Sequence, residues 1–263
     1  MKWHVLFILL LLAVKPAHAQ DELFGIDSSV KAHSGFILNG NITADIPLAD
    51  MAKRFGVDYR LGPAVTYKTK SNWVFGAKCD FLLGNLIKED SLMINIKDKY
   101  SGKFNGKVVQ LLNISGERTG VTVYERGYLI GLQAGKIINL KPGHPDNGLF
   151  FLTSVGFIQH KITIYNKERD VAQVDGALRK GYDRLTNGWF AEQFAGYTYF
   201  ARNGLLNFNV GLDVMLGFTR GRRDYLYDVM RTDDKQRLDM LLGIRGGWMI
   251  PVFKRKSEDL NFQ

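Results

Sequence analysis

Hydrophobic and polar residues alternate with a period of two along several stretches of the chain. The clearest case begins at Asn207, where apolar side chains occupy one face and small or polar side chains occupy the other. Successive side chains of a β-strand point to opposite faces of the sheet, so this pattern predicts a strand with one apolar face. The same signature recurs from Trp73 and from Leu238. The apolar positions of the first stretch are Phe208, Val210, Leu212, Val214, Leu216 and Phe218.

Weaker alternation elsewhere brings the number of predicted strands to about eight. Two of the stretches, 149–166 and 189–201, alternate imperfectly, which a bulge or a change of face would explain. Most of the apolar faces persist for about ten residues, the length that a tilted strand needs to cross a bilayer. Strands of a soluble β-sandwich, the alternative all-β interpretation, are usually about five to six residues long. The remaining predicted strands are 34–46, 58–70, 73–84, 121–138, 207–223 and 238–252.

The predicted fold is therefore all-β: a closed, antiparallel, up-and-down transmembrane β-barrel of about eight strands. Closure follows because lipid cannot satisfy the unpaired backbone groups at the edges of an open sheet. The connections agree, since outer-membrane barrels alternate long external loops with short periplasmic turns. The long predicted connections are 47–57, 88–120, 167–188 and 224–237, and the short ones are 70–72, 139–148 and 202–206.

The first residues have the pattern of a secretory signal peptide. Lys2 precedes an apolar run of about ten residues, whereas a spanning helix needs about 20. Ala17-His18-Ala19 matches a cleavage site, so we expect export to the outer membrane of a Gram-negative cell envelope. The predicted organisation is a cleaved signal peptide at 1–19, a periplasmic extension at 20–32, the barrel at 33–255 and a periplasmic tail at 256–263.

Composition and motifs exclude several kinds of chemistry. Cys79 is the only cysteine, so the chain forms no intrachain disulfide and no thiolate metal cluster. The sequence contains no phosphate loop, HExxH motif or calcium loop, and we predict no cofactor. The formal charge of +9 becomes +7 (9 − 2) when Lys2 and Lys15 leave with the signal peptide, which favours acidic partners.

Charged residues of both signs occupy the predicted inward face. An eight-stranded barrel is just wide enough to be filled by side chains, so a wide porin-like channel does not fit. Unpaired charges in a confined interior are costly, and we expect these groups to pair as a polar plug. A narrow gated pore is the alternative. The candidate lumen network consists of Arg60, Lys68, Lys78, Asp80, Glu125, Asp213 and Arg245.

The last predicted strand, LLGIRGGWMIPVF at 241–253, is similar to the closing strands of small bacterial outer-membrane barrels. Over residues 33 to about 255 the chain resembles this family, of which the transmembrane domain of OmpA and the protein OmpX are examples. The resemblance implies an outer-membrane location and recognition by the barrel-assembly machinery during biogenesis. The chain departs from the family by ending in Asn261-Phe262-Gln263, which leaves open which aromatic residue would serve as the assembly signal.

An enzymatic barrel similar to the outer-membrane lipid A deacylases needs a histidine and a serine close together on a strand, with an acidic partner. His160 has no serine two residues later, and Ser154 lies six residues earlier. We therefore interpret His160 as a polar strand residue and predict no catalytic, cofactor-binding or metal-binding residue.

The long connections carry the candidate contacts with partners. The connection 88–120 contains apolar stretches at 92–96 and 108–114, which either extend a hairpin that contacts an envelope protein or cap the barrel. Basic loop residues are candidates for contact with lipopolysaccharide, the alternative being a solvated loop surface; nucleic acid is not expected. These residues are Lys97, Lys99, Lys103, Lys107, Arg179, Lys180 and Arg184.

The leading functional hypothesis is a non-enzymatic outer-membrane barrel with a structural, anchoring or accessory role in a surface, secretion or adhesion assembly. A narrow channel or transporter for small solutes is the alternative, and a lipid-modifying barrel enzyme is the third possibility.

Overall fold

A computed structural model describes residues 32–98, 104–140, 144–201 and 206–253. The predicted signal peptide, the predicted tail and nearly all of the predicted periplasmic extension lie outside the described residues. The short helix α1 spans Ala49–Ala52, and 3₁₀ turns cover Ala172–Val174 and Gly176–Gly181. The strands are β1 (Gly35–Leu48), β2 (Asp58–Lys68), β3 (Trp73–Gly84), β4 (Val108–Leu112), β5 (Arg118–Asn139), β6 (Gly148–Tyr165), β7 (Thr186–Phe200), β8 (Asn207–Gly221) and β9 (Gln236–Phe253).

Eight of these strands form one closed antiparallel barrel. Each pairs with its neighbours along the chain, β3 pairs with β5, and β1 pairs with β9 to close the ring. The short strand β4 pairs with the start of β5 and extends the sheet beyond the ring. The prediction of a closed eight-stranded barrel is therefore confirmed, with one additional short strand.

The period-two pattern separates the two faces of the barrel wall. On β2, Tyr59 and Leu61 are about half exposed on the outside, whereas Arg60 is 1% exposed on the inside. Two apolar residues interrupt the alternation of β9, and both Leu241 and Met249 are buried inside the barrel. None of the described helices is long and apolar enough to cross a bilayer.

The two ends of the barrel differ. We call the end with the long connections 49–57, 85–117, 166–185 and 222–235 the loop end. The opposite end, with connections 69–72, 140–147 and 201–206, is the turn end. An apolar cluster lies inside each end, and a central group of charged side chains, which includes Arg60, Asp213 and Arg245, lies between the clusters. The loop-end cluster includes Phe55, Met93, Leu129, Ile162 and Leu241, and the turn-end cluster includes Ile37, Phe150, Phe194, Phe200 and Met249.

The longest connection adopts both arrangements that the sequence left open. Val108–Leu112 pairs with the first residues of β5 and forms a hairpin beyond the barrel. Leu92 and Met93 are buried in the loop-end cluster, together with Val109 of the hairpin. This connection therefore extends the sheet and also covers the barrel interior.

The closure of the barrel predicts a specific cross-link. Leu38 and Ile250 face each other across β1 and β9, so cysteines at both positions should form a disulfide in a Cys79→Ser background. The cross-link would be read as a reductant-sensitive shift on a gel after boiling. In the control pair, Leu38→Cys with Met249→Cys, the second residue points inward and should not react. A cross-link in the control pair alone would show that the register is different.

Candidate functional site

The centre of the barrel interior holds a network of ion pairs between strands. Arg60 on β2 donates two hydrogen bonds to Asp45 on β1, at 2.7 and 2.8 Å. It also donates to Asp213 on β8 at 2.7 Å. Arg245 on β9 donates to the other oxygen of Asp213 and to Glu192 on β7, at 3.0 Å in each case. Of these four carboxylate–guanidinium pairs, two join neighbouring strands, and the other two, Arg60–Asp213 and Arg245–Glu192, join strands that are not paired in the sheet.

Glu192 is the carboxylate with the most cationic neighbours in this network. Lys78 on β3 donates to Oε2 of Glu192, and its Nζ also lies 2.7 Å from Asp80. The Nη1 atom of Arg60 lies 3.5 Å from the same Oε2, while Arg245 donates to Oε1. Because β3 and β7 are not paired in the sheet, the Lys78–Glu192 contact runs through the interior of the barrel. The interior is therefore filled at its centre.

Small residues on the wall make room for these charged groups. A methyl group at Gly243 would lie 2.2 Å from Oδ1 of Asp45, the carboxylate that Arg60 holds. The guanidinium of Arg245 lies 4.2 Å above the ring of Phe194, which belongs to the turn-end cluster. The network is therefore packed against the wall on one side and against aromatic side chains on the other.

A second polar cluster lies nearer the loop end. His160 on β6 is fully buried between two carboxylates: its Nδ1 is 2.9 Å from Glu125, and its Nε2 is 3.1 Å from Asp239. Thr219 donates to the same oxygen of Asp239 at 2.5 Å. The ring of Phe55 packs edge-on against His160 with centroids 5.5 Å apart and covers the cluster from the loop end. His160 therefore links β5, β6 and β9 inside the barrel.

At the turn end, one ion pair accompanies the apolar cluster. Lys68 is fully buried and lies 2.6 Å from Asp146 in the connection 140–147. The same Lys68 Nζ donates to the backbone oxygen of His33 at 2.8 Å, and the His33 ring lies 2.7 Å from Asp146. These contacts tie the chain before β1 to the turn between β5 and β6.

At the loop end, four charged residues join all four long connections. Glu89 lies 2.7 Å from Arg184 and 3.7 Å from Arg54, which belong to different connections. Arg184 also donates to Asp228 of the last connection at 2.7 Å. We call Arg54, Glu89, Arg184 and Asp228 the cap cluster. Because each connection contributes one residue, the cap cluster holds the loops as a single folded surface.

Two further ion pairs fix the edges of this surface. Lys53 and the backbone N–H of Leu238 donate to Asp50, which lowers the pKa of that carboxyl and ties α1 to β9. Arg223 donates to both carboxylate oxygens of Asp183, and these hydrogen bonds raise the pKa of the guanidinium. The surface thus retains its charge pairs at neutral pH.

The structure places all seven predicted lumen residues inside the barrel, each at most 4% exposed. Five of them meet in the central network, Glu125 contacts His160, and Lys68 lies at the turn end. Sequence reasoning did not select four further buried carboxylates on the barrel strands. Asp45 continues the inward series that precedes it on β1, and Asp58 precedes Arg60 by one inward position. The unselected carboxylates are Asp45, Asp58, Glu192 and Asp239.

The predicted loop contacts that the structure describes have different surroundings. Lys107 and Lys180 are exposed, Arg179 pairs with Asp175 at 3.3 Å, and Lys97 lies 5.5 Å from the ring of Phe104. Lys99 and Lys103 lie outside the described residues. Arg184 differs from the expectation of an exposed contact, because it is 7% exposed and engaged in the cap cluster.

The geometry around His160 does not supply a catalytic pair with Ser154. Both residues point inward on β6, but six residues of strand separate them, which corresponds to about 20 Å. Both are almost completely buried. Within the described ranges, no group of three or more His, Cys, Asp or Glu side chains could hold a metal ion.

Two cavities among the described residues differ in size: a small one lies inside the barrel and a larger one lies among the loops. The cavity bordered by Asn41, Phe150 and Arg245 has a volume of only about 20 Å³, close to the space that one water molecule needs. A recess of about 390 Å³ opens between α1, Glu89 and the connection 222–235.

Comparisons with known proteins return matches among solved structures. No family model matches the chain. No curated protein matches it either. Neisserial surface protein A (NspA) is 8% identical, with a TM-score of 0.44, covering 84% of this chain and 99% of that chain. The attachment invasion locus protein Ail of Yersinia pestis, solved with the heparin analogue sucrose octasulfate, is 9% identical with a TM-score of 0.39, covering 83% and 99%. The outer membrane protein OprG from Pseudomonas aeruginosa is 12% identical with a TM-score of 0.34, covering 84% and 98%.

The central network predicts a large effect of Glu192→Ala. Removal of this carboxylate leaves three buried cations without a shared partner, so we expect the free energy of unfolding to fall by about 3–5 kcal/mol. Urea titration of the folded protein in detergent, followed by tryptophan fluorescence, would measure the change.

The matched control is Glu168→Ala. Glu168 is 68% exposed and pairs with Lys167 at the surface, so its loss should change the free energy of unfolding by no more than about 0.5 kcal/mol. Equal effects of the two substitutions would contradict the assignment of Glu192 to the barrel interior.

Proposed function

We propose that this chain is a non-conducting outer-membrane barrel that anchors a folded loop surface for contact with another component of the cell surface. The observation that carries the proposal is the combination of a filled interior with four connections joined by the cap cluster. A barrel of this kind serves as a scaffold, and its contacts with partners are made outside the lumen.

The outer wall supports the membrane location. Large apolar side chains are about half exposed or more on every barrel strand, although hydrophobic residues are normally buried. An outward apolar band around a polar interior is the arrangement of transmembrane barrels. Examples on neighbouring strands are Ile42, Leu61, Phe81, Leu132, Val155, Trp189, Leu212 and Ile244.

The interior argues against the narrow channel. A permeating solute would have to displace the contacts of Arg60, Lys78 and Arg245 with their carboxylates. It would also have to pass an apolar cluster on either side of the network. A rearrangement of three successive layers would therefore be needed to open a path.

The proposed partners all act outside the lumen. They are lipopolysaccharide, the barrel-assembly machinery and an envelope protein that contacts the connection 88–120.

A conductance measurement tests the non-conducting barrel. Protein folded into a planar bilayer should give no discrete current steps, because each of the three interior layers closes the lumen. Arg245→Ala should also remain silent, since both apolar clusters stay in place. A wide porin in the same bilayer provides the positive control. Regular steps from the unmodified protein, altered by Arg245→Ala or Asp80→Ala, would instead support the narrow channel.

The location of the loop surface is tested by cysteine labelling of intact cells in a Cys79→Ser background. Ile114 is 79% exposed at the tip of the loop-end hairpin, and Ile114→Cys should react with a membrane-impermeant maleimide. Leu140 is 54% exposed at the turn end, and Leu140→Cys should react only after the cells are lysed. The opposite labelling pattern would invert the proposed orientation, and labelling of neither site in lysates would contradict the exposure of both.

A further inference from the structure

Two cations face each other on the outside of the barrel wall near the loop end. Arg126 on β5 is the direct cross-strand partner of Lys161 on β6. Both residues occupy outward positions, because their neighbours Glu125, His160 and Ile162 are fully buried inside. Like charges directly opposite on a β-ladder destabilise the sheet. Their placement therefore requires a compensating interaction.

The protein does not neutralise this pair within the part of the chain that the structure describes. Arg126 donates to the backbone oxygens of Gly84 and Glu125, at 3.1 and 2.6 Å, and its guanidinium lies 4.1 Å above the ring of Tyr124. These contacts orient the guanidinium but supply no negative charge. Lys161 is exposed, and no described carboxylate forms an ion pair with either cation.

The neighbouring aromatic residues locate the pair at the edge of the apolar band. Tyr128 is the next outward residue of β5 after Arg126, on its turn-end side. The ring of Tyr128 lies 6.4 Å from the ring of Phe157 on β6. Phe157 pairs in register with Trp189, which is 71% exposed and pairs with Phe218. Tyrosine and tryptophan concentrate at the boundary between the hydrocarbon and the lipid headgroups. Arg126 lies immediately beyond this row on β5, and Lys161 lies two outward positions beyond Phe157 on β6, which places both cations at the depth of the headgroups.

This arrangement is confined to one side of the barrel. On β1 and β2 the outward residues remain apolar up to the loop end, where Ile46 and Tyr59 are about half exposed. Two other outward cations lie on the β8 side, but Arg220 lies 3.3 Å from Asp234, and Arg222 donates to Asn187 at 2.5 Å. Arg126 and Lys161 are thus two outward cations that face each other directly across β5 and β6, and neither has an acidic partner among the described residues.

We propose that Arg126 and Lys161 bind the phosphate group of an anionic lipid in the leaflet that surrounds the loop end. A phosphate oxygen is a strong acceptor for a guanidinium and for an ammonium group, and its negative charge relieves the repulsion between them. The inference rests on the proposed insertion of the barrel in a membrane, and it assigns the lipid contact to the wall and not to the loop lysines.

The test uses the full chain folded in nanodiscs that contain phosphatidylcholine with a small fraction of phosphorylated lipid A. Native mass spectrometry would count the lipid A molecules that remain bound to the protein released from the discs. The double variant Arg126→Gln with Lys161→Gln should lower the apparent affinity for lipid A about thirtyfold, because each cation near an anionic surface contributes to binding.

The matched control removes two cations from the turn end. Lys70 and Lys136 are on the same side of the barrel, and Lys136 is an outward residue of β5 stacked 5.0 Å from Trp73. Lys70→Gln with Lys136→Gln should bind lipid A like the unmodified protein. Dephosphorylated lipid A should bind all three proteins weakly, and inorganic phosphate should fail to displace the phosphorylated lipid.

The outcomes separate this inference from the proposed function. Heat-dependent gel mobility and protection from protease in pure phosphatidylcholine discs show whether each protein has inserted as a barrel. If the unmodified protein does not insert, the proposed membrane function fails. If all proteins insert and the Arg126/Lys161 variant retains lipid A as well as the control variant does, the docking site is refuted while the barrel stands.

Discussion

Charged side chains enclosed by a sheet with no edges cannot be solvated by bulk water, and the interior of this protein is organised around that constraint. Glu192 reaches three cations from three strands, and Asp213 contacts two of the same cations. Buried ion pairs gain little net stability, since desolvation offsets their attraction, but a broken pair is costly. A slip of one residue in any strand would turn its charges towards lipid. The network therefore specifies the register of the six strands that it connects, β1, β2, β3, β7, β8 and β9.

The apolar clusters at the two ends complete this arrangement. They keep water away from the charged layer, and exclusion of water strengthens each ion pair within it. At the loop end, Phe55 covers His160 while the adjacent Arg54 joins the cap cluster. The connection 49–57 thus covers the barrel interior and also helps to hold the other long connections in place. The folded loop surface depends on the filled barrel beneath it.

The sequence predicted the barrel and the inward charges well because a period of two assigns a face to each residue without further information. Arg60, Asp213 and Arg245 lie on strands whose outward residues are apolar. Glu192 was not selected because β7 carries large aromatic residues on both faces, such as Phe190 inside and Trp189 outside. The inward residues of β7 belong to both apolar clusters as well as to the charged layer. Because aromatic residues lie on both faces, the sequence of β7 does not show a clear alternation of apolar and polar residues.

The loops were less predictable for a different reason. Arg184 and Asp228 are ordinary polar residues in sequence, and their burial depends on contacts between connections that are far apart in the chain. No local periodicity encodes such contacts. The two roles of the connection 88–120 were likewise undecidable, because apolar residues such as Val109 suit a hairpin and a cap equally.

With a filled interior, the proposed contacts with other molecules fall on the outer wall and the loop surface, and both carry side chains that the protein already holds in place. The guanidinium of Arg126 is held by two backbone oxygens and a tyrosine ring on a strand paired on both sides. The long connections are held by the cap cluster. Groups that are fixed before binding lose little conformational entropy when a partner arrives. The same burial of charge that closes the lumen therefore favours recognition by preformed surfaces.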